Sequence, residues 1–510
     1  MDIVVGSGPS GIAVTKALLS RGRQVTMVDG GQKLSPVEIA RKGALAAKVP
    51  TEWSQQDVDD WQAPQFASNG DLARRYGSTH AQLAAAETFG KKADGFGLRA
   101  SHAIGGLSNV WGGAVLPSRQ KDIADWPINI EDLKAHYAAV REFMPMSGGR
   151  DRLEALFPSV PMDTATPLKA TPQGSMLHEK LDKVADRLAN EGVHTGRARQ
   201  AVSADCRYCG MCLHGCPWDQ IFSSEHVLST LKQHPNFNYM SGRIVDTFAQ
   251  QGAQVQVFFR DGAVSSGDKL FLAAGVLETA RIVLSSENTS RRQLTLLDSQ
   301  HFFLPMLHRW RPNGDPVKDP HHTLTEAFIE IDDIAISPYL THTQVYGWNE
   351  YYAREMIANY GSKLPGSGPL FRALSRRLMV AQTFLHSDHS SKIELGLQAG
   401  QRRLTANLIK NDETPKIIAS VAKKLGKSLG SAGLTALQFA RREGNPGSSF
   451  HTGGTLPMSD APQGAQTDTA GRLSGADRVH VVDASVLPAI PATTITFTVM
   501  ANAHRIGTVA

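Results

Sequence analysis

The chain has 510 residues, 41% of them apolar and 20% charged, an ordinary globular mixture that excludes a disordered or fibrous polypeptide. At about 150 residues per domain the length implies roughly three domain-sized units, with enough core to need no disulfide staples. The 53 Lys and Arg against 48 Asp and Glu leave a net charge of +5, too weak and too dispersed to imply nucleic acid as a partner.

Asp2–Val5 reads as a buried strand, followed by the turn Gly6-Ser7-Gly8-Pro9-Ser10-Gly11 and by apolar residues at helical spacing, Ala13, Val14, Ala17 and Leu18. A second strand, Gln24–Val28, ends at Asp29, 18 residues beyond Gly11. Gly6, Gly8 and Gly11 stand at the G-x-G-x-x-G spacing of a dinucleotide site. There the glycines permit a tight turn, close approach of a pyrophosphate, and close packing of helix on strand. The helix N-terminus offers N–H groups and dipole to phosphate, and Asp29 stands where a carboxylate accepts from adenosine ribose hydroxyls. The motif alone does not separate FAD from NAD.

Residues 33–100 read as mixed helix and loop, Ser101–Pro117 is rich in glycine and small residues, and Ile130–Phe143 reads as an amphipathic helix. Then comes Cys206-Arg-Tyr-Cys209-Gly-Met-Cys212-Leu-His-Gly-Cys216-Pro217, which holds all four cysteines of the chain. This C-x2-C-x2-C-x3-C-P run has the bacterial ferredoxin spacing and points to an iron–sulfur cluster. The four thiolates would hold one [4Fe–4S], three of them would hold a [3Fe–4S], or His214 would replace one. Tetrathiolate zinc is the alternative ligand.

Tyr239–Phe248 and Gln254–Arg260 alternate like strands around a turn at Gln251-Gly252, and Lys269–Gly275 reads as a buried strand before a helix over Leu277–Leu284. Residues 296–440 carry most of the remaining aromatics, a strand-like run at Leu324–Ile336 and a basic helix near Lys416–Lys427, and read as a separate, partly antiparallel domain. Trp310, Tyr339, Tyr346, Trp348, Tyr351 and Tyr352 are candidates to stack on a sugar, or else belong to core or interface. His321-His322 and His386-Ser-Asp388-His389 read as solvated turns. No apolar run approaches the roughly 18 residues of a membrane span. The N-terminus shows no leader pattern, so a cytoplasmic location is expected, export with a partner subunit aside.

The C-terminal portion carries Ser449-Phe-His451-Thr-Gly453-Gly454-Thr455-Leu-Pro-Met458, then Val479-His-Val-Val-Asp483-Ala-Ser-Val-Leu-Pro488, then Pro491–Ala501. These blocks resemble the C-terminal signature of the glucose–methanol–choline (GMC) oxidoreductases, flavoenzymes that oxidise alcohols and sugars. Gly105–Gly113 resembles their flavin loop, and Leu270–Leu284 their second nucleotide-domain strand and helix. The cysteine run resembles the insertion of the iron–sulfur sugar dehydrogenases within that family.

The resemblance implies an α/β fold with FAD as cofactor. A discontinuous Rossmann-like FAD-binding domain would be built from 1–150, 236–295 and 441–510. An insertion over 151–235 would carry the cysteines, and a substrate-binding domain over 296–440 would have a mostly antiparallel sheet. It also implies that Gly106, Ser108, Asn109 and Val110 lie by the flavin, that the segment at Val245 contacts adenine, and that Asp483 lies by the ribityl and pyrophosphate. His451 takes the catalytic histidine position, where an imidazole accepts the hydroxyl proton as hydride leaves carbon. The family's second catalytic group, His or Asn, is replaced by Thr494, which is no base near neutral pH. Asn502 and His504 follow on the next helix and read as packing or helix-end residues. The function expected is a dehydrogenase acting on an alcohol group of a sugar, glycoside or polyol. Its electrons would pass through the cluster to an external one-electron acceptor such as a ferredoxin, a cytochrome or a quinone-linked carrier. The alternatives are an oxygen-using oxidase with a structural metal or cluster site, and an electron-transfer flavoprotein without its own alcohol.

Overall fold

A computed structural model of the chain describes residues 1–67, 75–82, 88–89, 95–163, 165–286, 293–361 and 366–510, so part of the 33–100 region lies outside the described residues. The fold is α/β. Its first sheet runs in the order Arg472–Leu473, Ala476–Val481, Leu270–Leu272, Asp2–Val5, Val25–Asp29, Phe237–Ser241. All neighbours are parallel except the short first pair. The central strands are buried on both faces, Ile3, Val4, Leu270, Phe271 and Val479 being wholly inaccessible, as a parallel sheet covered by helices requires. Strands far apart in sequence thus form one sheet, with Leu270 paired to both Ile3 and Val479. Helix Thr496–Val509 packs along Pro9–Ser20, where Gly507 permits the approach: an added Cβ would stand 2.8 Å from the Ala17 Cβ.

The second large sheet is antiparallel, in the order Leu434–Ala436, His301–His308, Leu378–Phe384, Thr341–Tyr346, Thr325–Ile331, Val193–Arg197. One face carries Phe302, Leu304, Met306, Met379, Ala381, Val345, Ala327, Ile329 and Ile331, buried under helices Thr414–Ser431 and Pro172–Asp182. With a side-chain period of two, the intervening residues must all face the other way. They include His301, Phe303, Gln382, Phe384, His342, Gln344, Tyr346 and Glu330, a polar and aromatic set.

Several expected elements differ in detail. Tyr239–Phe248 is not one strand: Phe237–Ser241 edges the parallel sheet, whereas Val245–Gln251 opens a separate three-stranded sheet with Gln254–Phe259 and Val264–Gly267. Val193–Arg197, within the segment assigned to the cysteine insertion, joins the antiparallel sheet against Thr325–Ile331. Among the described residues no helix is long and apolar enough to cross a membrane.

Candidate functional site

The N-terminal turn has the geometry its glycines require. Gly6 has φ +101°, and a Cβ there would sit 2.4 Å from the Ala273 carbonyl oxygen; one at Gly11 would sit 1.9 Å from the Gly6 carbonyl. Above Gly8 the space is open to at least 4 Å. No side chain caps the helix that starts at Pro9, which leaves its first N–H groups for an anion. The Asp29 carboxylate accepts from the Ser7 amide at 2.9 Å, the Ser7 hydroxyl at 2.5 Å and the Gly31 amide at 2.7 Å. The Tyr239 phenol also lies against this carboxylate. Burial nevertheless pushes the Asp29 carboxyl above its ordinary range, against those hydrogen bonds. The Ser7 hydroxyl also accepts from the Gly105 amide at 2.8 Å and so ties the turn to the glycine-rich loop.

In that loop Ser108 and Asn109 have structural work. Ser108 donates to the Gly105 carbonyl and accepts from the Ser224 amide. The Asn109 amide donates to the carbonyls of Ile104 and Gly106, and its oxygen accepts from Ser223. These side chains shape the loop, so any contact they offer a cofactor comes from the backbone around Gly106 and Val110. The Val245 carbonyl accepts from Arg281 at 2.5 Å. Asp483 is buried and accepts from Thr279 at 2.5 Å and from the Ser485 amide at 3.0 Å. Burial raises its pKa. Near it, Gly275 has φ +81° with nothing within 4 Å of an added Cβ. An open glycine cradle at a helix N-terminus, a strand-end carboxylate and a second open glycine fit the phosphates and ribose of FAD.

His451 is placed by the segment around Asp298. Thr452 pairs with Asp298, and the His451 carbonyl accepts from the Ser299 amide at 3.0 Å. The buried Asp298 carboxylate accepts from the Ser449 hydroxyl at 2.5 Å and the Gly447 amide at 2.7 Å, and Ser449 in turn accepts from the His451 amide at 2.9 Å. Phe450, just before His451, has φ +62°, a conformation bulky residues seldom adopt. The imidazole stacks on Phe384 with centroids 4.6 Å apart. Its Nδ1 is buried and has no hydrogen-bond partner among the described residues. Burial first, then His342 and His301, hold the His451 pKa down to about 3, and burial holds His301 down to about 4. The ring is therefore neutral near pH 7, the form that accepts a proton.

The Thr494 hydroxyl accepts from the Leu116 amide at 2.7 Å, a clamp on the segment that follows the glycine-rich loop. Neither residue after it substitutes. Asn502 accepts from Arg505, and the His504 Nδ1 lies 2.9 Å from that of His136. The aromatics do not form one cluster: Tyr339 stacks on His386 and donates to Asp388, and Trp348 packs edge-on against His321. Only Tyr346 of that group lies on the polar sheet face. Sequence reasoning missed Asp298, His301, Glu330, His342 and Phe384. The available signal was the alternation within Thr341–Tyr346, where His342, Gln344 and Tyr346 recur at every second position.

The cysteine run forms a partly buried loop bridged to His321, whose carbonyl accepts from the Gly210 amide and whose amide donates to the Tyr208 carbonyl. Cys206, Cys212 and Cys216 border one apolar cluster, with Val202, Ile221 and Leu324, while Cys209 borders the next, with Trp61 and Met211. Among the described residues no three or more His, Cys, Asp or Glu are grouped to hold a metal ion. The ligand set expected from the spacing of Cys206, Cys209, Cys212 and Cys216, with or without His214, is therefore not assembled. The cysteines border two apolar clusters, yet Cys206, Cys209 and Cys212 each lie close enough to other thiols of the run for those neighbours to add to the rise in pKa that burial causes. Burial pushes the Cys206 thiol up to about 12 and raises Cys209 and Cys212 as well.

Comparison with known proteins agrees with this architecture. Residues 381–503, which contain His451, Asp483 and Thr494, match the family model described as GMC oxidoreductase. Among solved structures, the crystal structure of pyridoxine 4-oxidase from Mesorbium loti is similar with a TM-score of 0.55 and 14% identity, over 99% of this chain and 98% of that one. That likeness is one of fold. No curated protein matches the chain in sequence.

Proposed function

We propose that the chain is an FAD-dependent oxidoreductase of the GMC family that oxidises a CH–OH group, with His451 accepting the hydroxyl proton. The observation that carries this reading is the placement of His451. Within the segment that matches the family, it is a neutral, partly buried imidazole stacked on the polar face of the antiparallel sheet. FAD, when bound, supplies the two-electron hydride acceptor. The turn Gly6–Gly11, Asp29, the backbone around Gly106 and Val110, the Val245 segment and Asp483 would hold it. His451 removes the proton from the substrate oxygen, the Asp298–Ser449 pair fixes the backbone that presents the ring, and Phe384 fixes the ring plane. Thr494 positions the segment at Leu116 and is not the base. The substrate class favoured is a polyhydroxylated alcohol, in keeping with the polar sheet face.

For the electron acceptor, direct reoxidation as in an oxidase is favoured over relay through an iron–sulfur cluster, because no group of His, Cys, Asp or Glu able to hold a metal ion is found among the described residues. The similar fold of an enzyme named as an oxidase supports the same side. The relay, with a ferredoxin, cytochrome or quinone-linked acceptor, is the second reading. Backbone N–H groups at 3.5 Å from the Cys212 sulfur and 3.4 Å from the Cys216 sulfur favour it, since such donors stabilise thiolate. Iron, acid-labile sulfide and EPR on anaerobically purified protein separate the two. The catalytic assignment is tested by anaerobic bleaching of the flavin with a panel of alcohols, sugars and polyols. His451→Ala should slow bleaching at least about 100-fold, the scale of a lost general base. A variant that bleaches at the wild-type rate would remove the proposal.

A further inference from the structure

The polar face of the antiparallel sheet holds a chain of four hydrogen-bonded side chains that the reaction described above does not use. His342 Nδ1 lies 2.7 Å from Glu330 Oε1, His342 Nε2 lies 3.2 Å from Gln344 Nε2, and the Tyr346 hydroxyl donates to Gln344 Oε1 at 2.6 Å. Glu330 and His342 are wholly inaccessible, Gln344 is nearly so, and Tyr346 at the end is only partly buried. The direction of the chain follows from its buried end. A carboxylate only accepts, so His342 donates from Nδ1 and its Nε2 accepts from the Gln344 amide. Gln344 then turns its oxygen to Tyr346, whose single proton is committed inward. What the phenol presents outward is a lone pair.

Stability does not account for such a chain. Replacing buried ionic groups with well-packed apolar ones is commonly neutral or stabilising, and the opposite face of the same strands is apolar. The outer end also has a definite address. The Tyr346 oxygen would stand 3.8 Å from a Cβ added at Gly112, an exposed residue in the glycine-rich loop that Ser7 ties to the nucleotide turn. On the same face Gln382 and Phe303 are partly exposed, and Phe384 carries His451. His342 and Phe384 are register partners across adjacent strands, so the chain and the proposed base share one surface.

We infer that the Tyr346 phenol oxygen accepts a hydrogen bond from a second hydroxyl of the substrate, with Glu330, His342 and Gln344 holding it in that accepting orientation. This rests on the proposed alcohol oxidation and names its substrate class more closely: compounds with a hydroxyl beyond the one oxidised. Glu330, His342 and Gln344 are positioning residues.

The test is kinetic discrimination on the FAD-loaded full chain. D-glucose, D-sorbitol, glycerol and pyridoxine are compared with the monohydric 1-hexanol and benzyl alcohol. The wild type should favour the polyhydroxylated group. Tyr346→Phe should lower the ratio of kcat/KM between the two groups about tenfold, the scale of one lost hydrogen bond to substrate, and do so mainly through KM. Gln344→Leu should reproduce that loss. Gln344→Glu keeps the acceptor for Tyr346 but loses the donor to His342, so it should retain more of the ratio than Gln344→Leu, a difference that a merely structural role would not show. The inference is overturned if Tyr346→Phe leaves the ratio unchanged, or if only monohydric alcohols are oxidised. Both results leave the assignment of His451 standing, because that falls only if His451→Ala keeps wild-type flavin bleaching.

Discussion

The nucleotide turn and the cysteine run are the two sharpest motifs in the chain, and the structure treats them differently. At Gly6–Gly11 the ligand-facing groups are backbone N–H groups, so the conformation that the glycines impose is already the site. At Cys206–Cys216 the ligand-facing groups would be side chains, whose approach to one centre the spacing alone does not set; Cys209 borders one apolar cluster and the other three another, and no metal-holding group is found among the described residues. A spacing pattern thus specifies a backbone-built site more fully than a side-chain-built one. The cysteine region also holds backbone strain. Tyr208 and Asp219 adopt positive φ by the cysteine loop, as Tyr76 does against Gly215.

The largest expected effect breaks the backbone-built site. Gly6→Ala forces an unfavourable φ and places a Cβ against the Ala273 carbonyl, so the purified variant should carry no flavin by absorbance and unfold at markedly lower temperature. Wild-type flavin content in this variant would show that the turn is not the cofactor cradle.

The loop that presents His451 lies between the two cases, since one buried carboxylate organises it. Burial pushes the Asp298 carboxyl from 3.8 up to about 6, despite the hydrogen bonds from Ser449 and Gly447. A raised folded pKa means that its contribution to stability is fully present below pH 3.8 and is lost as pH rises through 6. A shift of this size corresponds to about 3 kcal/mol. The buried histidines act in the opposite sense. With pKa values of about 3 for His451 and about 4 for His301, their contribution is present above pH 6.5 and lost as pH falls toward 3. Asp298→Asn should therefore steepen the fall of Tm between pH 6 and pH 4. An unchanged slope would mean that Asp298 is not titrating there.

A smaller effect is expected at Asp29. Asn keeps one acceptor oxygen where the carboxylate serves three donors, so Asp29→Asn should weaken FAD binding about tenfold, measured by retention on dilution. The smallest is expected at the cysteines. If the thiols are packed side chains, Cys209→Ser should change Tm by only a few degrees and leave flavin content intact. Coupled loss of iron and folding in that variant would reverse the comparison and restore the cluster.

The legible and illegible parts of the sequence divide along the same line. Asp29 and the turn were readable because strand, helix and strand are contiguous, and His451 because its block is continuous from Ser449 to Met458. The work done by Asn109 and Ser108 was hidden, because their partners are carbonyls and amides that come into reach only when the loop closes. Phe384, His342 and Glu330 were hidden by register. Nothing local tells that residues from three strands form one row, His342 facing Phe384 on one side and Glu330 on the other.

The parallel sheet has a consequence for biosynthesis. Its central strand, Leu270–Leu272, needs Asp2–Val5 on one side and Ala476–Val481 on the other, and helix Thr496–Val509 must still dock on Pro9–Ser20. Contacts that span nearly the whole chain form slowly and late. The outer pairing of Leu270–Leu272 therefore waits for Ala476–Val481, long after Asp2–Val5 is made. A product lacking Ala476–Val481 would expose the apolar flank of Leu270–Leu272 to aggregation and proteolysis.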